Sequence, residues 1–380
     1  MNNIAKPGKI VIISLLICFG YGHSAFSQDY KALIDSVATD STRHNSFAPL
    51  PFIFYTPETN LFFSFSGIYT FYADPKDRTT RPSIIAGTGI YTLKKQFISN
   101  IYLNRWSKGN KNHYLVELTY IKFNYLYYGI GNQTLLKDEQ KINEDRFEFV
   151  YSSEHKLLSG LYVGIEAQLK KEKFYGSAPT AIYNNTYPNA SAGGLISRIG
   201  ASIIYDTRNT YTYPTSGAYY KAIYSHTLPK NLSDFNFHRI KLETRNFITM
   251  QKKHTIGFHS YFESIQGDLP FFELPQMGNQ YIMRGYYTGR FRDQNLAASQ
   301  VEYRLHFTEH WAVAFFGGTG GVFNNNSLSW STLKPNYGTG FRYLLDKDSG
   351  LHLRLDVGFG EKRPGEGIIW NPYFFIGEAF

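Results

Sequence analysis

The residues that could do chemistry are few, and their spacing leads away from catalysis. The chain holds eleven histidines and a single cysteine, Cys18, in 380 residues. None of the histidines sits in a nucleophile motif. No phosphate-binding glycine loop, metal-ligand spacing or paired-carboxylate signature stands out either. What remains is charge recognition. Asp206 and Arg208 flank Thr207 ahead of Asn209, a turn pair more plausibly than a catalytic pair. Pro214 and Gly217 follow, one fixing φ and the other permitting the turn. Arg284 stands in Met283-Arg284-Gly285-Tyr286, with Gly289-Arg290-Phe291 close behind. Its guanidinium offers five donors in a planar fork that matches a carboxylate, and Gly285 lets the backbone turn tightly. Taken alone, such an arginine is most often a solvated loop side chain. The chain is expected to be non-enzymatic, with no catalytic, cofactor or metal site.

The elements that must position these residues begin after a leader. Lys6 and Lys9 precede an apolar stretch, Ile10 to Gly20, too short to span a bilayer; Ala25 and Ser27 stand before Gln28 at the spacing a signal peptidase reads. Residues 1–27 are therefore expected to be a signal peptide, a retained anchor being the alternative. Cys18 lies inside this segment behind the bulky Ile17, so lipid attachment is not expected. The mature chain would then have no disulfide and no thiolate site. Residues 28–48 are polar and suit a short periplasmic lead-in, and residues 49–380 form the remaining domain. Net charge is +9; loss of Lys6 and Lys9 leaves +7, since no acid precedes Asp29. Without a basic run or a recognition helix this balance argues against nucleic acid and for lipid headgroups.

Residues 28–380 contain no uncharged apolar run near the roughly 18 residues a membrane helix needs. Their period is two instead. Leu161, Val163, Ile165, Ala167 and Leu169 alternate with Tyr162, Gly164, Glu166, Gln168 and Lys170. Val301, Tyr303 and Leu305 alternate with Glu302, Arg304 and His306, and Leu353, Leu355 and Val357 with Arg354, Asp356 and Gly358. Each run has one apolar and one polar wall. Many last about ten residues, the length of a tilted membrane-crossing strand, where a soluble strand averages five or six. Turn signals divide the chain into roughly sixteen such segments, from 51–56 to 370–380, an even number suited to closure. With 31 Tyr, 31 Phe and 33 Gly and a mean hydropathy of −0.32, the composition fits a barrel with a lipid face and a wet face. The fold expected is all-β, a transmembrane antiparallel barrel of about sixteen strands. Two long connections interrupt it: 173–193, read as a surface loop, and 267–295, too aromatic for disorder.

Three motifs in order carry a resemblance. They are Met283-Arg284-Gly285-Tyr286 with Gly289 and the following Glu302-Tyr303-Arg304; Tyr205-Asp206-Thr207-Arg208-Asn209 with Tyr213-Pro214-Thr215-Ser216-Gly217; and Gly338-Thr339-Gly340-Phe341-Arg342 with a last strand closing on Phe380. Over residues 50–380 the chain resembles the BamA/TamA-type outer-membrane assembly barrels, the bacterial surface antigen type. The resemblance implies that the 267–295 loop folds back into the barrel and that Arg284 pairs with an acid of the inner wall. Glu302 and Asp356 are the acids that alternation places inward. It implies too that Phe374, Ile376 and Phe380 form a C-terminal insertion signal, interrupted by Glu378; ordinary strand packing of Phe380 is the alternative.

Two departures qualify this. The family's aromatic-x-Asp-x-Gly wall strand reads Phe316-Gly317-Gly318-Thr319-Gly320 here, with glycine in place of the acid. The family's periplasmic POTRA domains run to roughly 75 residues each, and residues 28–48 are too few to fold alone, so a member without them is expected. The implied function is insertion or translocation of proteins or lipids at the outer membrane of a Gram-negative bacterium. The alternatives are a passive channel or exporter, or a structural barrel acting with a separate periplasmic or outer-membrane partner.

Overall fold

Alternation dictates the architecture, because successive side chains of a strand fall on opposite faces. A computed structural model describes residues 42–56, 60–175, 192–251, 253–324, 330–363 and 365–380. The expected leader, most of the lead-in and most of the 173–193 loop lie outside the described residues. Sixteen strands form one sheet in which sequence neighbours pair antiparallel. They are β1 (Ser46–Thr56), β2 (Asn60–Phe71), β3 (Ser83–Thr92), β4 (Phe97–Trp106), β5 (Asn112–Tyr127), β6 (Gln140–Leu158), β7 (Leu161–Tyr175) and β8 (Gly193–Asp206). There follow β9 (Gly217–Thr227), β10 (Phe237–Met250), β11 (His254–Gly267), β14 (Asn295–His306), β15 (Trp311–Phe323), β16 (Lys334–Asp346), β17 (Leu351–Lys362) and β18 (Ile368–Ile376). Two short strands, β12 (Gln276–Met277) and β13 (Phe291–Arg292), pair with each other within the connection from β11 to β14.

The distribution of side chains is the reverse of a soluble protein's. Ile165, Ile199, Phe315 and Phe341 lie more than half exposed on the outer face, while Lys170, Arg198, Glu302, Arg304, Arg342 and Asp356 are buried on the inner one. Water outside would make this arrangement costly twice over, through exposed hydrocarbon and enclosed charge. Lipid outside and a polar lumen inside remove both costs. The sheet is thus a membrane β-barrel. Its strands β5, β6 and β7, at 16, 19 and 15 residues, exceed the roughly nine to eleven that cross a bilayer.

The sheet has two edge strands, β1 and β18, and among the described residues no ladder joins them. Both carry proline. Pro49 and Pro51 stand opposite Gly67 and Phe65 of β2, and Pro372 opposite Val357 of β17. A proline tolerates a ladder only when its missing N–H points to the free side. Residues two apart point the same way, so Pro49 and Pro51 both strip donors from the edge that faces β18. Side chains reach across the seam at one end: Ser46 of β1 donates to Asp346 Oδ2, at the end of β16, at 3.0 Å. Leu50 of β1 and Ile376 of β18 also pack against one cluster of Ile68, Ile84 and Leu351.

Two boundaries differ from expectation. β1 takes in Ser46, Phe47 and Ala48, which the polar pattern assigned to the lead-in. The last strand does not close on Phe380; it ends at Ile376, and Gly377 at φ +90° turns the chain inward. Phe380 is then buried against His259, with ring centroids 4.8 Å apart, and against Phe247. The cause is Glu378, whose carboxylate is drawn to Arg342 at 2.8 Å while Arg304 binds the Phe380 carbonyl at 3.0 Å. Phe374 and Ile376 remain on β18, opposite Leu355 and Leu353.

Candidate functional site

The connection 268–294 enters the lumen and is held against two walls. It leaves β11 through Leu269-Pro270-Phe271-Phe272, whose aromatic rings pack on Tyr127, Phe174 and Phe235 from β5, β7 and the β9–β10 turn. Burial of these rings anchors the first half. Gly285 serves the second half. At φ +116°, with an added Cβ placed 2.6 Å from the Phe359 carbonyl carbon, it admits no side chain. Its N–H donates to Tyr373 Oη at 2.8 Å and its carbonyl accepts from Asn371 Nδ2 at 2.8 Å, so the loop backbone rests on β17 and β18.

That contact delivers Arg284 to the β14–β17 wall, fully buried. Nη1 donates to Asp356 Oδ2 at 2.6 Å and Nη2 makes an ion pair with Glu302 Oε2 at 2.7 Å. Its guanidinium lies 3.5 Å above the Phe316 ring, so the aromatic of the glycine-rich wall strand takes part although the wall acid is missing. Gly318 has no room for that acid: a Cβ there would sit 2.8 Å from Asn336 Oδ1. Asn336 occupies the space and donates to the Arg284 carbonyl at 3.3 Å. Gln300 grips the same stretch, accepting from Met283 N at 3.1 Å and donating to the Tyr281 carbonyl at 2.7 Å.

Arg284 is one member of a network. Arg342 reaches Asp356 at 2.5 Å, Glu302 at 3.3 Å and Glu378 at 2.8 Å, and Arg304 binds Glu302 at 2.7 Å. Arg354 lies 3.8 Å from Asp356 and over the Phe375 ring. Four guanidinium groups thus share three side-chain carboxylates. Such groups persist out of water only because each carboxylate is engaged by more than one donor.

A second anchor of opposite sign was not foreseen. Glu273, buried, receives Lys170 at 3.0 Å, Arg239 at 2.6 Å and Arg198 at 3.7 Å from β7, β10 and β8. Burial pushes its carboxyl up, but Lys170, Arg239 and Arg198 outweigh this and hold it well below the usual carboxylate range. The available signal was a lone acid in the apolar run 269–275. Further along, Tyr286 donates to the Pro335 carbonyl at 2.7 Å, and a Cβ on Gly289 would strike the Arg292 side chain. Arg290 binds Thr134 Oγ1 at 2.7 Å.

The turn motif lies apart from Arg284. Asp206 accepts from Arg208 Nη2 at 2.8 Å and from Arg81 Nη1 at 2.6 Å, and Arg208 lies over the Tyr219 ring. Gly217 resumes the sheet at φ +91°, and the Pro214 carbonyl accepts from Arg304 Nη1 at 3.0 Å. That last bond ties the turn to the arginine network. Nothing in this constellation presents an activated nucleophile; it pairs charge and holds backbone.

A membrane barrel with an arginine-bearing loop pinned across its lumen defines the class: an outer-membrane β-barrel. The chain belongs to the Omp85 superfamily, whose domain matches residues 97–380. Three solved structures share the fold. BamA from Haemophilus ducreyi lacking POTRA domains 1–3 matches with a TM-score of 0.57 and 12% identity, over 88% of this chain and 70% of that one. CdiB from Acinetobacter baumannii matches at 0.53 and 10%, over 87% and 59%, and CdiB from Escherichia coli at 0.52 and 8%, over 87% and 62%. The chain therefore spans less than two thirds of either CdiB. No curated protein sequence matches it.

Proposed function

We propose that this barrel assists the insertion or translocation of proteins at the outer membrane, acting without covalent chemistry through the β1–β18 seam. The observation that carries the reading is that seam: a sixteen-stranded sheet whose two edge strands share no ladder among the described residues and carry Pro49, Pro51 and Pro372. An edge with unpaired carbonyls and N–H groups can template an incoming strand, and lipid makes any unpaired edge costly enough to favour exchange. The loop pinned by Glu273 and Arg284 supports this reading over a passive channel, because it crosses the lumen from the β7–β10 wall to the β14–β17 wall. A companion protein that delivers the client is part of the proposal.

The test is reconstitution. Purified protein in liposomes should speed the folding of a denatured outer-membrane barrel client, read by its heat-modifiable mobility. Oxidising a Ser46→Cys/Asp346→Cys pair, placed where the native side chains meet at 3.0 Å, should remove the acceleration, and reductant should restore it. Acceleration that persists with the pair oxidised would show that the seam is not the working surface.

A further inference from the structure

We infer that the β8–β9 connection, residues 207–216, is a clasp that holds the seam closed at the end where β1 begins. This rests on the seam reading above and adds its control. A ten-residue turn between antiparallel strands would ordinarily lie in solvent, yet Thr212 and Tyr213 are buried. Their partners explain why.

On one side of the seam, the Tyr211 hydroxyl donates to the Pro82 carbonyl at 2.9 Å, and Arg81 pairs with Asp206 while donating to the Arg208 carbonyl at 3.3 Å. Arg81 and Pro82 lead into β3. On the other side, Thr212 Oγ1 donates to the Ser349 carbonyl, and Tyr213 stacks on His352 with ring centroids 3.8 Å apart. Ser349 and His352 flank the start of β17. Sheet order from β17 to β3 runs through β18, the seam, β1 and β2, so one connection from across the barrel grips both flanks of the opening. Tyr211 also packs against the Ile68, Ile84 and Leu351 cluster that receives Leu50 of β1 and Ile376 of β18. Asp346 completes the bridge, accepting from Ser46 of β1 at 3.0 Å and from Ser349 at 2.8 Å.

Opening the seam must therefore break bonds that are not part of any strand ladder. Because Arg304 binds the Pro214 carbonyl and Glu302 at once, the clasp is mechanically continuous with the wall that holds Arg284. Movement of the loop and release of the seam would be coupled through one arginine.

The experiment uses the full chain with Cys18→Ser and one reporter cysteine at Leu50 or at Ile376, labelled by a bulky maleimide in liposomes. Tyr211→Phe deletes its one bond to Pro82, and Thr212→Val deletes its bond to Ser349 together with a local one to Thr210; both remove little volume. Each should raise the labelling rate about fivefold, and the pair together multiplicatively, as expected for loss of a hydrogen bond that resists opening. A control cysteine at Ser152, on β6 far from the seam in sheet order, should not respond. Unchanged rates at Leu50 and Ile376, or an equal rise at Ser152, would overturn the clasp. Should either variant fail to fold, Ser46→Ala removes only the β1 bond to Asp346 and must give the same seam-specific rise. Faster labelling without any change in client folding would uphold the clasp and count against the insertion reading.

Discussion

Arg284 shows how a single side chain can be decisive without reacting. Its fork reaches Glu302 and Asp356 together, and its plane lies on Phe316. Removing one partner of a buried pair typically costs about 3–5 kcal/mol, because the other charge is stranded. Here Arg342 also touches both acids, so they are not left unpaired. We therefore predict that Arg284→Ala lowers barrel stability by about 3 kcal/mol or less, read as a lower temperature for loss of the folded band. Glu302→Gln with Asp356→Asn should be more damaging, since four arginines would be left with Glu378 alone. Combining Arg284→Ala with either acid variant should cost less than the sum, because the groups form one network. Full additivity would mean that the loop arginine and the wall acids act independently.

At the scale of elements, the loop 268–294 is a strap fastened by opposite charges at its two halves. Glu273→Gln should free the first half while Arg284 keeps the second. A cysteine at Leu274, which is buried, should then label faster in that variant, with Met283→Cys unchanged. The pH dependence follows from the depressed Glu273 carboxyl: a group whose folded pKa is lowered stabilises above its unfolded value and loses that contribution as pH falls through the folded one. Leu274→Cys should accordingly stay protected at about pH 4, near the ordinary glutamate value, and open only in stronger acid. Protection lost well above that range would place the anchor elsewhere. The edge strand makes a separate prediction. Pro49→Ala with Pro51→Ala returns two donors to the free side of β1. The seam should tighten, with a higher unfolding temperature and slower client folding; unchanged values for both would show that the prolines do not set seam strength.

For the whole molecule, a barrel whose consecutive strands are all paired resists detergent until heated. An unboiled sample in mild detergent should migrate differently from a boiled one and give a β-type circular dichroism spectrum. A helical spectrum, or identical mobility, would exclude the sixteen-stranded sheet.

Period-two alternation by itself determined the class of fold. In Leu161–Leu169 and Leu351–Phe359 the apolar face is as long as a membrane crossing needs, and the charged face has nowhere to go but a polar lumen. The motif around Arg284 likewise marked the loop, and alternation named Glu302 and Asp356 as the inward acids, because the side a strand residue faces is a property of its parity. Parity carries no information about what lies across a lumen. Which strands the loop would touch, that Asn336 would fill the space beside Gly318, and that Glu273 would meet Lys170 and Arg239 all depend on contacts between residues tens to hundreds apart. Glu378 and Phe380 teach the same lesson. As sequence they were an interruption and an aromatic end to a strand; the tertiary structure bends them inward, because Arg342 and Arg304 offer a buried carboxylate and a carbonyl better partners than lipid could.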